Sequence, residues 1–323
     1  MKEILPPDSK KNPLICSYEQ CKIYTRNYAK SFYFTSFLLP KEKRNAAYAI
    51  YTFCRYTDNI VDSYKSNGIN IDEKFEEQKK FLDVVYSSTE FAGENFSAFA
   101  ETVRKYNITK HYFLELIDGV RMDTQKKRYA TFAELENYCY KVASVVGLIM
   151  TEIFGYSHKA ALPYAEYLGK AMQLTNILRD IYEDYLMDRV YIPQNELAAF
   201  EYSENDIGNK VVNENFALMM KFNIERARAY YELATHGIPY LTNDGSRTTV
   251  VLMYKIYSGI LTEIENHDYD VLSQRRFVST AEKVRMTGKY LLNVSERRKY
   301  SIIPDVRHHE RIRALYPSLN FDE

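Results

Sequence analysis

Residues that break helices are scarce in this chain and sit where helices should end. Gly numbers 11 and Pro 9 in 323 residues. The long stretches between them carry apolar residues at 3.6-type spacing. Leu39-Pro40, Ser66-Asn67-Gly68, Gly237-Ile238-Pro239 and Asn243-Asp244-Gly245 punctuate them. No alternating strand run with a hairpin turn and no repeat period occurs, so the chain reads as all-α. Helices are expected at about 17–34, 41–64, 72–86, 96–106, 109–122, 131–155, 158–187, 213–235, 247–266 and 280–292, with a short helix and a loop after Pro193. Thr131 and Glu134 have the spacing of a capping box. Length alone favours about two domains. Nothing linker-like divides the chain, however, so one helical domain over 1–323 is expected, its core at about 20–292 and its tails short and flexible.

Lys plus Arg and Asp plus Glu both total 43, a formal net charge of zero. That argues against a nucleic-acid partner. Cys16, Cys21, Cys54 and Cys139 are scattered and lack CxxC spacing. Zinc and disulfides are therefore not expected, and a reduced, cytoplasmic setting is. The first twenty residues hold no apolar stretch of signal-peptide length, and the strongest apolar run, 142–150, is too short to span a bilayer. Membrane association, if any, is expected to be peripheral. The 30 Tyr and 17 Phe, with no Trp, read first as core filler. Their sharper reading is a cavity whose aromatic faces solvate a cation.

Two stretches carry chemistry. In QLTNILRDIYEDYLMDRVYIP (173–193), Gln173, Asn176, Asp180 and Asp184 step by three or four and share one helix face among largely apolar neighbours, with Arg179 at its edge. In AIYTFCRYTDNIVD (49–62), Tyr51, Arg55, Asp58 and Asp62 do the same. One acidic i,i+4 pair is ordinarily a solvated face, as Glu73 and Glu77 read here. Two such pairs, each beside an Arg and in greasy surroundings, suit a hard divalent cation, Mg²⁺ with Mn²⁺ as substitute. The absence of His and Cys counts against zinc, copper or iron. Mg²⁺ that bridges phosphate oxygens makes diphosphate a good leaving group. An adjoining apolar, aromatic cavity would hold a hydrocarbon and steady a carbocation. Ionisation of an allylic diphosphate and coupling to another follows.

At these residues the sequence resembles the squalene/phytoene synthase family, the head-to-head trans-isoprenyl diphosphate synthases, over about 28–283. The resemblance rests on KSFYFTSFLLPKEKR (30–44), the AAYAIYTFCRYTDNIVD stretch, DGVRMD (118–123), YATFAELENYCYKVASVVG, QLTNILRDIYED, the Arg189, Tyr191, Pro193 run, and YSGILTEIENHDYDVLSQRRFVS. It implies an all-α isoprenoid (terpenoid) synthase fold, with the Asp pairs facing across a central cavity. It implies that Asp58, Asp62, Asp180 and Asp184, with Asn176, hold metal and diphosphate. Arg55, Arg179 and Arg275 would contact diphosphates, with Lys30, Ser31 and Lys283 as weaker candidates. Tyr51, Gln173, Asn176, Tyr191 and Tyr257 would line the site. Tyr51 and Tyr138 would act on the cationic intermediates. Core packing is the alternative for each tyrosine, and a helix-surface place for Lys30 and Ser31. Asn59, Tyr28, Ser144 and Asp188 depart from residues common in the family (Asp, His, Gly and Gly).

The resemblance implies two prenyl diphosphate substrates joined through a cyclopropylcarbinyl diphosphate, and peripheral membrane contact for release of the hydrocarbon. Two geranylgeranyl diphosphates giving phytoene is the favoured reading. Thr35 and Ser36, small residues, would leave room for the longer chain. The alternative couples two farnesyl diphosphates to squalene or dehydrosqualene, with NADPH supplying hydride in the squalene case. The chain has no Rossmann glycine fingerprint, but NADPH-using members lack one too. A non-catalytic helical assembly factor is the rival of another class. A terpene cyclase or chain-elongating prenyltransferase fits the Arg-x-Tyr-x-Pro run poorly.

Overall fold

The computed structural model describes residues 17–67, 70–87 and 97–303, the side chains of 62–67 excepted. The helices, in chain order, are α1 (Tyr18–Tyr28), α2 (Lys30–Ser36), α3 (Lys41–Asn67), α4 (Ile71–Ser87), α5 (Ala98–Lys105), α6 (Lys110–Gln125), α7 (Phe132–Cys139) and α8 (Val145–Phe154). There follow α9 (Ala161–Arg179), α10 (Ile181–Leu186), α11 (Gln194–Ala199), α12 (Glu204–Gly208), α13 (Glu214–Thr235), α14 (Ser246–Glu265), α15 (Thr280–Leu292) and α16 (Val294–Lys299). A π-helical turn, Tyr140–Ser144, joins α7 to α8, and a 3₁₀ turn, Ile238–Tyr240, follows α13. Among the described residues there are no strands, only isolated bridges at Arg128–Val190 and Tyr156–Leu241.

The helices form where apolar stripes and caps coincide. On α3, Ala46, Ala47, Ile50, Phe53, Cys54 and Thr57 are buried, a stripe of helical period. Ser17 and Gln20 close a capping box ahead of α1, and Asn213 caps α13 by accepting from the Phe216 N–H at 2.9 Å. Central α9 is buried round much of its circumference and packs on α8, α13, α14 and the π turn. Two glycines bring it close to its neighbours. A Cβ on Gly169 would lie 2.6 Å from Ser144 Cα, and one on Gly147 would lie 2.7 Å from the Ala165 carbonyl oxygen. Two apolar clusters, one around α3, α6 and α8 and one around α9, α13 and α14, meet at Val142, Leu168 and Tyr254, which pack against both.

The helices depart from the expected pattern at four places. The first expected helix is two, because Ala29 leaves helical geometry at φ −127°, ψ 61°. The bend turns Ala29 and Phe32 toward the interior cavity. The helix expected at 158–187 starts at Ala161 and breaks at Asp180 (φ −108°, ψ 18°). The 131–155 helix is interrupted by the π turn, a local widening of the coil. The Thr131 hydroxyl makes no cap; Glu134 reaches back instead to the Ala130 N–H at 2.8 Å and to Lys126 at 2.7 Å. In addition, α16 carries no counterpart in the expected set.

Candidate active site

Two cavities adjoin inside this frame. The first, of about 290 Å³, is lined almost wholly by apolar groups from α2, α3, the π turn, α8, α9, α13 and α14, among them Phe32, Val146, Met150, Tyr164, Leu168, Met253 and Tyr257. The second, of about 270 Å³, is lined by Arg55 and Asp58 from α3, Asp123 from α6, Tyr138 from α7, and Gln173, Asn176, Asp180, Asp184, Arg189 and Tyr191. Val142, Gln173 and Asn176 belong to both linings, so greasy and polar volumes share one wall.

The polar wall follows from helix period. Asn176 donates toward Gln173 Oε1 at 3.4 Å, one turn apart on α9. The break at Asp180 keeps the register, since the Asp184 N–H still donates to the Asp180 carbonyl at 2.9 Å. Two guanidinium groups grip Asp180. Arg179 bonds its carboxylate at 2.7 and 2.5 Å, and Arg275, from the loop before α15, at 2.7 and 3.0 Å. Burial works against the Arg179 charge, but the Asp180 carboxylate more than offsets it and the guanidinium is held above its ordinary range. Asp184 has no such clamp. Its pKa is pushed up to about 8, first by burial and then by Asp180, with Arg189 pulling the other way and Asp123 and Glu183 adding to the rise. Across the cavity, Arg55 Nη1 lies 3.9 Å from Asp58 Oδ2 and its guanidinium stands 5.7 Å from the Tyr28 ring centroid. The side chain of Asp62 lies outside the described residues.

Tyrosines floor the site. Tyr191 donates to Asp123 Oδ1 at 2.7 Å, and Tyr138 lies 3.1 Å from Asp123 Oδ2 and 3.2 Å from the Tyr191 hydroxyl. Their rings stack at 5.1 Å, with Tyr129 against both. Burial, then the Asp123 charge, raises both hydroxyls far above the ordinary phenol range, so each stays protonated. Tyr51 and Tyr257 face the apolar cavity, and burial raises them too.

Most of the residues singled out from the sequence therefore come together: Arg55, Asp58, Tyr138, Gln173, Asn176, Asp180, Asp184 and Tyr191 line the polar cavity, and Tyr51 and Tyr257 the apolar one. Arg179 and Arg275 reach it through Asp180. Lys30 and Ser31, on the first turn of α2, line neither cavity. Lys283 is half-buried, and burial and then the neighbouring Lys30 charge lower its pKa. Thr35 and Ser36 do not line the cavity: both are buried, and the Ser36 hydroxyl bonds Tyr48 at 2.7 Å. Asp188 occupies left-handed backbone, φ 61°, which accounts for glycine at that place in the family. Ser144 is buried against Gly169, and Asn59 donates to the Tyr24 hydroxyl at 2.8 Å. Asp123 and Arg189 line the polar cavity too, beyond the expected site residues, and the signal for them lies in DGVRMD and the Arg-x-Tyr-x-Pro run.

The donors facing the polar cavity are carboxylate and amide oxygens, with no His or Cys among them. Asp184 lacks a bidentate guanidinium partner, and burial and then the neighbouring Asp180 raise its pKa, an environment that a bound cation would relieve. Among the described residues no three acidic, His or Cys side chains converge closely enough to hold a metal unaided. Mg²⁺ needs only one or two protein carboxylates when water and substrate phosphates complete its shell.

Comparison with known proteins supplies the context. Residues 25–282 match the family model described as squalene/phytoene synthase. The chain is 38% identical over 284 residues to a 15-cis-phytoene synthase of Synechococcus elongatus, covering 83% of this chain and 90% of that one. It is 38% identical over 287 residues to a phytoene synthase of Arthrospira platensis, with the same coverage. Among solved structures, a dehydrosqualene synthase in complex with ligand superposes with TM-score 0.76 at 26% identity, covering 85% of this chain and 96% of the other.

Proposed function

The chain belongs to the squalene/phytoene synthase family, and from that premise we propose that it condenses two geranylgeranyl diphosphates head to head into phytoene. It is a prenyltransferase of isoprenoid and carotenoid biosynthesis. The observation that carries the reading is the shared wall of the two cavities: a diphosphate in the polar volume places its prenyl tail in the apolar one. We read the chain as one helical domain.

Asp58, Asp180 and Asp184, with Asn176 and, by the motif, Asp62, would hold Mg²⁺. Bound there, Mg²⁺ supplies charge neutralisation on the departing diphosphate. Arg55, Arg179 and Arg275 add fixed positive charge at the same oxygens, aimed where negative charge develops. By the motif, Lys30, Ser31 and Lys283 would be weaker diphosphate contacts. The C1–O bond of one substrate breaks and its electron pair leaves with diphosphate. The allylic C1 then bonds to the second substrate's double bond, and loss of a proton closes a cyclopropane that carries the second diphosphate. Ionisation of that diphosphate, rearrangement and a further proton loss give the hydrocarbon. The rings of Tyr51, Tyr138 and Tyr257, which line the two cavities, would steady the cation. The protonated hydroxyls of Tyr138 and Tyr191 are turned to Asp123 and away from nucleophilic attack on it. Apolar walls exclude the water that would quench it.

The likeness to the dehydrosqualene synthase structure favours one second reading, coupling of two farnesyl diphosphates, with NADPH needed only for a squalene product. One incubation separates them. Purified protein and Mg²⁺ are given each prenyl diphosphate, with and without NADPH, and the hydrocarbon is identified. Phytoene without NADPH is expected; turnover of farnesyl but not geranylgeranyl diphosphate overturns the reading. We propose peripheral contact with a membrane for product release; among the described residues no helix is long and apolar enough to cross one.

A further inference from the structure

One end of the chain has a surface that the condensation does not use. Residues 276–303, with Lys283 set aside, hold six Lys and Arg against two Glu, in a chain whose formal charge is zero. Both glutamates are engaged: Glu282 takes two bonds from Arg285, at 2.6 and 2.5 Å, and Glu296 pairs with Lys255. Arg276 is likewise turned to Asp270, so the outward positive charge rests on Lys289, Arg297, Arg298 and Lys299.

This basic segment is also greasy where greasy side chains should be buried. Of the thirteen residues of α15 only Tyr290 is buried, and α16 buries none. Tyr290 and Tyr300, edge to face at 6.2 Å, pin the segment to the body. Outside those pins the large apolar groups face solvent: Phe277 is 65% exposed, Leu292 84%, Val294 67% and Ile302 63%. On α15, Val284, Gly288 and Leu291 are spaced by four and three and lie on one side. A Cβ on Gly288 would meet nothing within 4 Å, so that side is open. Arg285 and Lys289 follow it one residue on, at its margin.

We infer that this face of α15, α16 and the Phe277 loop docks on an anionic lipid surface. Large apolar side chains interleaved with Lys and Arg suit the headgroup boundary, where the former insert and the latter reach phosphates. A second copy of this chain fits worse, since a two-fold contact would press like charges together. The position matters as well. The face lies on α14 through Gly259, whose neighbours are Val278 and Met286, and α14 walls the apolar cavity with Val250, Met253 and Tyr257. This inference deepens the proposed reaction, resting on its water-insoluble product.

The test is co-sedimentation of the full chain with vesicles of phosphatidylcholine alone, or with one third phosphatidylglycerol, at low and high ionic strength. Binding is expected only to the anionic vesicles and weaker at high salt. Each Lys or Arg near such a surface contributes about fivefold, so Lys289→Gln with Arg298→Gln should weaken binding roughly twenty-five-fold. Val284→Ser with Leu292→Ser should cost about tenfold or more. Both double variants should keep full turnover of detergent-dispersed substrate, which reports a folded enzyme. Equal binding by variants and parent, equal binding to neutral vesicles, or dimerisation abolished by the same variants would overturn the inference. Vesicle binding without hydrocarbon formation would instead overturn the proposed reaction and leave the docking face standing.

Discussion

Arg275 closes on Asp180 from 95 positions further along the chain, with two near-parallel N–H···O bonds at 2.7 and 3.0 Å. Arg179 does the same from the adjacent residue. One carboxylate thus sits between two planar cations, and any metal arriving at Asp180 must share it with them.

Removing one clamp should divide two properties. Arg275 is largely exposed, so its pair with Asp180 contributes only about 0–1 kcal/mol to stability. Arg275→Ala should leave the melting temperature nearly unchanged. It should strengthen binding of Mn²⁺ alone, because Asp180 is freed, and weaken binding of inorganic diphosphate by about tenfold or more. Titration of each ligand by calorimetry separates the two, and parallel changes would refute the clamp.

Asp184 predicts a pH trend. Its pKa is about 8 in the fold, chiefly through burial, against an ordinary 3.8. Between about pH 4 and 8 the native state therefore holds a proton that the unfolded chain has lost. The stability this group contributes is full below the unfolded value and is lost as pH rises through the folded one. Metal-free protein should melt lower as pH climbs across that window, and Mg²⁺ should restore more at its alkaline end. Asp184→Asn should flatten the metal-free trend and abolish product. Thermal melts with and without Mg²⁺ at several pH values read both.

The Asp123 trio should matter to both fold and rate. Tyr191→Phe removes the 2.7 Å bond to a buried-side carboxylate, a loss of about 1–3 kcal/mol. Tyr138→Phe should cost less stability, since its bond is 3.1 Å, while kcat falls in both. Denaturant melts and steady-state rates are the readouts, and unchanged values for Tyr191→Phe would exclude the role.

The close glycines predict overpacking. Gly169→Ala sets a methyl 2.6 Å from Ser144 Cα, against backbone that cannot rotate away. A loss of about 1–3 kcal/mol is expected by urea unfolding. Asp58→Asn, by contrast, should keep native stability and lose product by about a thousandfold or more; retained turnover there would sink the metal–diphosphate site.

The helices and the two Asp stretches were legible because both obey local spacing: Gln173, Asn176, Asp180 and Asp184 advertise one face by counting alone. What stayed hidden depends on partners distant in sequence. Asp123 looks no different from Asp118 on the same helix until Tyr138 and Tyr191 converge on it. The bend at Ala29 has no Pro or Gly to announce it; its effect is to turn Phe32 inward. The place of Ser36 could not be read either, because whether a small residue opens space depends on its neighbour, and Tyr48 fills it.

Val142, Gln173 and Asn176 face grease on one side and carboxylates on the other. A prenyl diphosphate is itself divided in this way, between a charged head and an oily tail, and the bond that must break lies at its own division. Two adjoining linings of opposite polarity would orient such a substrate the way an interface orients a surfactant. On the proposed reaction, the scissile bond would come to rest at the boundary, each half of the molecule in its preferred medium. Exchanging the polarity of that narrow seam would cost registration along the substrate's length before it cost affinity.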